Sequence, residues 1–284
     1  MQDRGQYIAE MVRREDRDRF LMALFVPADR RDDVLALYAF NAELARIRGQ
    51  VSETMIGRMK LQWWRDVIEA IYARRGVPLG NPVTEALASC IILRKLTRAH
   101  FDEILTTRER EMDSDDAGFT FSDTLDLERY AEGTSSRLID LVVEVLGATA
   151  ETSKSAARHV GIGYALSGIL RAVLFHAAEN RLMLPRDVLN NIGVTGVQDV
   201  QSVRNSAATA STVAEIARTA EAHLAKARTF KIERAALPAL LAAGIASQYL
   251  SQLKAAGYDV SDSRVVHARA SVLRLTWNAW RGKL

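Results

Sequence analysis

The chain contains few of the residues that build covalent or metal-based frameworks. Cys90 is the only cysteine among 284 residues, which excludes a disulfide within the chain and a cysteine-based metal site. The five histidines show neither H-x₃-H nor H-E-x-x-H spacing, so no histidine metal motif is present. The apolar context of Cys90 predicts instead a small buried residue of a helix.

The chain also has no large excess of either positive or negative charge, and it has no long apolar run. The 38 basic and 35 acidic residues leave a formal net charge of +3. This balance argues against a dedicated nucleic-acid-binding protein, so no nucleic acid partner is expected. The run Ala235–Ala246 is far shorter than the roughly 20 residues of a membrane-spanning helix, and the N-terminal segment lacks the apolar region of a secretory signal. We expect a cytoplasmic protein, with docking on a membrane surface as the alternative.

Prolines number only five and lie near the ends of predicted helices or in loops. Apolar residues recur with the helical period of about 3.6 residues. The predicted helices span residues 29–49, 53–72, 84–96, 99–112, 122–146, 151–178, 185–193, 198–230, 235–256 and 263–280. Asp123 is the expected N-cap of the fifth helix and Gly147 its C-terminal stop, with loops over 76–82 and 113–121. Because no segment alternates like a strand, we predict an all-α chain that forms a single domain over residues 1–284.

The segment 166–185, LSGILRAVLFHAAENRLMLP, carries the most informative motif. It is typical of a helix that runs into a short loop, with Ala172 and His176 one turn apart on one face. The pattern I-L-R followed by N-R-L-x-L-P resembles the second Asp-rich helix of the squalene/phytoene synthase family. The resemblance places Ala172 and His176 where the family has two aspartates, and Arg171 and Arg181 at its basic positions near the diphosphate.

The first Asp-rich helix of that family also has a counterpart. Here LYAF is followed by NAELARIRG, which puts Ala45, Arg46 and Gly49 at the family's acidic positions. In the family these carboxylates hold Mg²⁺ against a prenyl diphosphate. The resemblance therefore implies no catalytic residues, no metal site and no cofactor, because Ala45, Gly49, Ala172 and His176 replace the acids.

Further signatures follow in the family's order, and together they extend the resemblance over about residues 18–275. They are Leu24–Pro27, Leu61–Arg65, Gly76-x-Pro78, Asn81–Val83, Gly133–Ser135 and Tyr249–Leu253. The resemblance implies the isoprenoid (terpenoid) synthase fold, a single-domain helical bundle around a central cavity.

Two stretches resemble one branch of the family in particular. FNAELARIRGQVSE and the later I-G-x-M-x-L-Q-W-W are similar to the branch that contains mitochondrial complex I assembly factor 6 and its bacterial relatives, which lacks the Asp-rich motifs. This resemblance implies a role in the biogenesis of respiratory complex I. Complex I subunits or other assembly factors would then be the partners. The protein would be cytoplasmic or peripheral on the inner membrane, on the matrix side if it is a processed organellar protein.

Several residues could replace the lost metal chemistry with direct anion binding. Guanidinium groups bind phosphate in a bidentate manner, so a convergence of Arg46, Arg48, Arg171 and Arg181 would hold a prenyl or phospholipid headgroup. Ordinary surface ion pairing is the alternative interpretation. Asn41 shares the face of Ala45, and His176 is expected to line a core or pocket. Glu179, three residues after His176, could share its face, but a solvated charge at a helix end is the expected interpretation.

Two apolar features favour packing over binding. The Ala-rich stretch 207–227 predicts a close-packed helix face, with a membrane-docking surface as the alternative, which basic residues would then accompany. Those residues are Lys226, Arg228, Lys231 and Arg234. Trp277 and Trp280 predict core or partner packing.

Three functions remain open at this point. The first is a catalytically degenerate family member that supports complex I assembly and keeps a lipid or prenyl pocket. The second is an active head-to-head prenyl diphosphate transferase with Mg²⁺ held by other ligands. The third is a lipid carrier. The missing acids favour the first over the second and do not separate the first from the third.

Overall fold

A computed structural model describes residues 4–51, 53–76, 80–114, 118–197, 199 and 207–284. The helices are α1 Arg4–Glu15, α2 Arg17–Ala23, α3 Ala28–Ile47, α4 Thr54–Tyr72, α5 Pro82–Arg94, α6 Arg98–Glu109, α7 Thr124–Ala131, α8 Arg137–Leu146, α9 Glu151–Arg171, α10 Val173–Ala178, α11 Arg186–Asn190, α12 Ala207–Ala227, α13 Leu237–Leu240, α14 Ala242–Ala255, α15 Ser263–Val266 and α16 Val272–Arg281. The predicted all-α class is confirmed. Parts of the predicted loops 76–82 and 113–121, Pro78, and most of the first turns of the predicted helix 198–230 lie outside the described residues.

Side-chain caps and glycines set several helix ends. Asn81 Oδ1 accepts hydrogen bonds from the amides of Val83 at 3.0 Å and Thr84 at 3.3 Å, where α5 begins. Asp123 Oδ1 accepts from Asp126 N at 2.8 Å, which confirms the predicted cap of α7. Gly147 ends α8 with φ +73°, a left-handed conformation that glycine adopts without a steric cost.

Four predicted helices each divide into two helices in the structure, namely 122–146, 151–178, 235–256 and 263–280. Helix α9 ends at Arg171 because Ala172 leaves the helical region at φ −101°, ψ 8°, and α10 continues from Val173. The predicted helix 263–280 divides into α15 and α16. The buried side chain of Gln248 stabilises this break, since its Nε2 donates to Arg269 O at 2.7 Å and its Oε1 accepts from Ser271 N at 3.0 Å.

A short sheet was not predicted. Strands β1 (Phe119–Phe121) and β2 (Leu182–Pro185) pair in parallel, with Phe119 opposite Leu182. Two strands of three and four residues are too short to show an alternating pattern. They tie the chain after α10 to the chain before α7.

Helix α9 lies at the centre of the core and packs against α8, α12 and α14. The Ala-rich face of α12 covers it closely, because a Cβ on Gly163 would lie 2.7 Å from Leu224 Cδ2 and 3.1 Å from Ala220 O. The predicted close-packed face is confirmed, and the alternative of a membrane-docking α12 is wrong for this face.

The tryptophans divide between the core and the surface. Trp64 is buried, but Trp277 and Trp280 on α16 are 55% and 75% exposed. Of the two alternatives for Trp277 and Trp280, packing in the core is therefore wrong, and packing against a partner stays a prediction. No helix in the described ranges is long and apolar enough to span a membrane.

Candidate functional site

A cavity of about 780 Å³ opens between α2, α3, α9 and α10. Asn41, Ala45 and Gly49 line one wall, and Ala172 and His176 line another. Residues four apart on a helix share a face, which brings the first set together. His176 N donates to Ala172 O at 2.9 Å, so one helical turn also relates the second pair. Both sequence motifs therefore face one cavity.

The donors at these positions do not fit Mg²⁺, which prefers octahedral oxygen ligands. Ala45, Gly49 and Ala172 carry no side-chain ligand. His176 Nδ1 lies 3.0 Å from Arg181 Nη2 and accepts a hydrogen bond from that guanidinium. Among the residues that the structure describes, no three His, Cys, Asp or Glu side chains form a group suited to a metal ion.

A buried carboxylate organises the deep end of the cavity. Glu111, which is 2% exposed, accepts from Arg108 Nη1 at 2.7 Å and from the Tyr130 hydroxyl at 2.6 Å. Arg181 Nη1 donates to its other oxygen at 3.4 Å. Buried side chains can stay ionised when they are paired and hydrogen-bonded in this way. The network fixes Arg108 and Arg181 in the cavity wall.

Glu179 completes the network from the end of α10. Its carboxylate forms an ion pair with Arg181 and lines the cavity. A Cβ on Gly49 would lie 2.9 Å from Glu179 Oε1, so the two residues are in contact across the cavity. The prediction of a solvated charge for Glu179 is wrong, because Arg181 holds it inward.

His176 is neutral at physiological pH. Burial, followed by the positive charge of Arg181, lowers its pKa to about 4. A neutral imidazole accepts at one nitrogen, which agrees with the hydrogen bond from Arg181. The residue lines the cavity, as predicted.

A second polar cluster lies at the other end of the cavity. The Tyr249 hydroxyl donates to Asp18 Oδ2 at 2.6 Å, and Arg171 Nη1 is 3.7 Å from the same oxygen. The Arg171 guanidinium also stacks 4.2 Å from the centre of the Tyr249 ring. Arg171 is thus fixed by an acid and an aromatic face together.

The third wall comes from the π-helical turn Glu132–Ser136 that joins α7 to α8. Gly133 packs directly on Thr107, where a Cβ would overlap the threonine hydroxyl. This close approach places Thr134 and Ser135 on the cavity wall. The small-residue segment noted in the sequence therefore shapes the cavity.

The four predicted arginines do not all converge. Arg46, Arg171 and Arg181 line the cavity, whereas Arg48 does not. Arg48 lies in the 3₁₀ turn after α3, and its Nη1 is 3.5 Å from Val51 O. Arg46 is held by Glu15 at 3.1 Å and by Glu43 at 2.8 Å.

The lining remains cationic despite these internal pairs. Seven arginines and five carboxylates line the cavity, a formal surplus of two positive charges. Buried donors also lack acceptors among the described residues. They include Nε of Arg46, Arg108 and Arg181, and Oγ of Ser135. Such a surface suits an anionic ligand.

Several lining residues were not identified from the sequence. Arg108 and Glu111 stand one turn apart, a spacing typical of an exposed helix pair, and nothing in the pattern indicates their burial. Asp18 and Tyr249 are 231 positions apart and meet only in the fold.

The geometry and the motif order define the class of protein. The squalene/phytoene synthase family model matches residues 12–276, and the chain belongs to this family. It is 32% identical over 257 residues to NADH dehydrogenase (ubiquinone) complex I, assembly factor 6, of Bos taurus, across 90% of this chain and 75% of that protein. The Homo sapiens protein of the same name is 31% identical over 256 residues, across 89% of this chain and 75% of its own length.

A solved structure shows the same fold. A dehydrosqualene synthase in complex with ligand superimposes with a TM-score of 0.79, across 99% of this chain and 95% of that chain, at 18% identity. The predicted family is therefore confirmed. The predicted similarity to the branch that contains complex I assembly factor 6 is confirmed as well.

Proposed function

We propose that this chain supports the biogenesis of respiratory complex I and uses the synthase fold without prenyl-transfer chemistry. The observation that carries the proposal is the cavity wall: Ala45, Gly49, Ala172 and His176, which the resemblance places at the positions of the family's metal-binding acids, line the cavity and supply no carboxylate. Prenyl diphosphate ionises only when metal ions and cations stabilise the departing diphosphate. Relatives named as complex I assembly factors, at 31–32% identity, support the biological role. Complex I subunits or other assembly factors are the proposed partners.

Deletion of the gene in its source organism tests this function. We expect membranes with little NADH:ubiquinone oxidoreductase activity and little intact complex I on native gels, with unchanged isoprenoid lipids. Complementation with the wild-type gene restores complex I. Normal complex I together with loss of a squalene- or phytoene-derived product would instead establish the prenyltransferase alternative.

We also propose that the cavity retains an anionic lipid-type ligand, bound without metal. The unpaired donors of Arg46, Arg108, Arg181 and Ser135 support this assignment, because a buried donor without an acceptor costs about 1–3 kcal/mol. A phosphate or diphosphate headgroup supplies the missing acceptors. The ligand would stabilise the cavity and regulate the scaffold.

Arginine variants test the ligand. Titration with farnesyl thiodiphosphate in EDTA should give an affinity that falls about tenfold in Arg46→Gln, the loss expected from one charge-assisted contact. Arg48→Gln is the matched control, since Arg48 follows on the same chain segment but lies outside the cavity lining. Equal affinity of the two variants would contradict the assignment.

A further inference from the structure

The C-terminal helix α16 presents an apolar stripe to solvent. Leu273, Trp277 and Trp280 lie on one face and are 82%, 55% and 75% exposed. The opposite face holds the helix on the protein through Leu275, which is 2% exposed, and through Asn278. Gly244 on α14 makes room for Asn278, because a Cβ there would lie 2.5 Å from Asn278 Nδ2. Because the opposite face of α16 packs against the protein, the apolar stripe stays exposed to solvent.

A basic edge borders this stripe. Arg274 and Arg281 are two turns apart and so share one edge of the helix, and the Arg281 guanidinium lies 5.6 Å from the centre of the Trp277 ring. The whole segment 263–284 contains five basic residues and no aspartate or glutamate. Only Arg264 of these five forms an ion pair among the described residues, with Asp262. The charge around the stripe complements an anionic surface.

Two further exposed apolar residues lie near the mouth of the cavity. Phe175 is 62% exposed and Val266 is 47% exposed, and both line a groove with Arg171 and Ala268. Phe175, Ala268 and Arg269 also line the central cavity. The segment that leads into α16 thus lines the mouth of the cavity beside Phe175.

We propose that α16 docks this protein on an anionic membrane surface. Leu273, Trp277 and Trp280 enter the boundary between headgroups and acyl chains, and Arg274 and Arg281 contact lipid phosphates. Aromatic residues beside basic ones are typical of helices that lie in the membrane interface. The five basic residues of segment 263–284, with no aspartate or glutamate among them, complement the charge of anionic headgroups. The assignment is independent of the role in complex I biogenesis.

Vesicle flotation with the full chain tests the docking surface. Wild-type protein should float with phosphatidylcholine vesicles that contain about one third phosphatidylglycerol, and about tenfold less with phosphatidylcholine alone. Trp277→Ser/Trp280→Ser should reduce binding at least about tenfold. Arg274→Gln/Arg281→Gln should reduce binding to the anionic vesicles about tenfold and leave the weak binding to neutral vesicles unchanged.

The matched control removes apolar surface elsewhere. Met55 and Met59 on α4 are 63% and 66% exposed, and Met55→Ser/Met59→Ser should float like the wild type. All variants should keep the wild-type melting temperature, because each changes only exposed side chains. The proposal is overturned if the wild type stays with the unbound fraction, or if the tryptophan variant floats equally well. A wild-type dimer that becomes a monomer in the tryptophan variant, without vesicle binding, would overturn it in favour of self-association.

Discussion

Gly49 and Glu179 meet across the cavity, where a Cβ on Gly49 would lie 2.9 Å from Glu179 Oε1. The resemblance places residue 49 at an acidic position of the family's first motif, whereas Glu179 follows α10 on the opposite wall. The chain thus brings a carboxylate to this position from another helix and pairs it with Arg181. The same location that would hold a metal ligand now holds an internal ion pair.

Restoring the family residue should therefore harm this protein. Gly49→Asp places a second carboxylate against Glu179 and competes for Arg181, so we expect a loss of about 1–2 kcal/mol in the free energy of unfolding. Gly49→Ala is the control, because the flexible end of Glu179 can move away from one methyl group and alanine favours a helical turn. Urea denaturation of both variants measures the difference. Equal stability of the two would show that Glu179 does not occupy this site.

Protonation of His176 should make stability depend on pH. The unfolded imidazole takes up a proton near pH 6.5, whereas the folded one, with its pKa lowered to about 4, resists it. The free energy of unfolding should thus fall as the pH drops from about 6.5 to about 4, by up to about 3 kcal/mol from this residue. His176→Gln should flatten this part of the profile. Parallel profiles of wild type and variant would refute the assignment.

The buried hydrogen bond between Tyr249 and Asp18 should contribute measurably to stability. Tyr249→Phe leaves Asp18, which is 8% exposed, without its hydroxyl donor and should cost about 1–3 kcal/mol. Tyr7→Phe is the control at a tyrosine that is 43% exposed, and it should change stability by less than about 0.5 kcal/mol. Thermal melts compare the pair, and equal losses would contradict the buried network.

Two glycines of α9 should respond oppositely to alanine. A Cβ on Gly161 would overlap the backbone of Ser136, whereas one on Gly168 meets nothing within 4 Å. Gly161→Ala should cost about 1–3 kcal/mol through overpacking, and Gly168→Ala should gain about 0.5–1 kcal/mol through helix propensity. Denaturant titration gives both values. A gain at Gly161 would mean that α9 and the π-helical turn are not in close contact.

The sequence predicted the fold through the order of its motifs, because the same succession of helices and breaks recurs across the family. Helical spacing also placed Asn41 on one face with Ala45, and Ala172 on one face with His176, whereas the central cavity that both faces line was implied by the family resemblance. These positions depend on local periodicity, which is readable from one chain.

The features of the site that the sequence did not predict depend on contacts between segments that are distant in the chain. Glu179 was predicted to be a solvated charge, and nothing in the pattern indicated that Glu111 is buried, because acids are rarely buried unless a partner from elsewhere is present. Arg48 was grouped with Arg46, although the 3₁₀ turn directs it out of the cavity lining. The stripe of Trp277 and Trp280 had the pattern of a packed face, since periodicity marks an apolar face without showing what covers it.

Calorimetric titration with farnesyl thiodiphosphate, in Mg²⁺ and in EDTA, tests most directly whether the cavity has lost its metal-dependent chemistry. Ala45, Gly49, Ala172 and His176 supply no carboxylate at the positions that the resemblance assigns to the family's metal ligands, and Arg181 already pairs with the nearby Glu179, so we predict dissociation constants that agree within about threefold in the two conditions. Affinity that is at least about tenfold tighter with Mg²⁺ would contradict the account, because it would require metal ligands that the cavity wall does not provide.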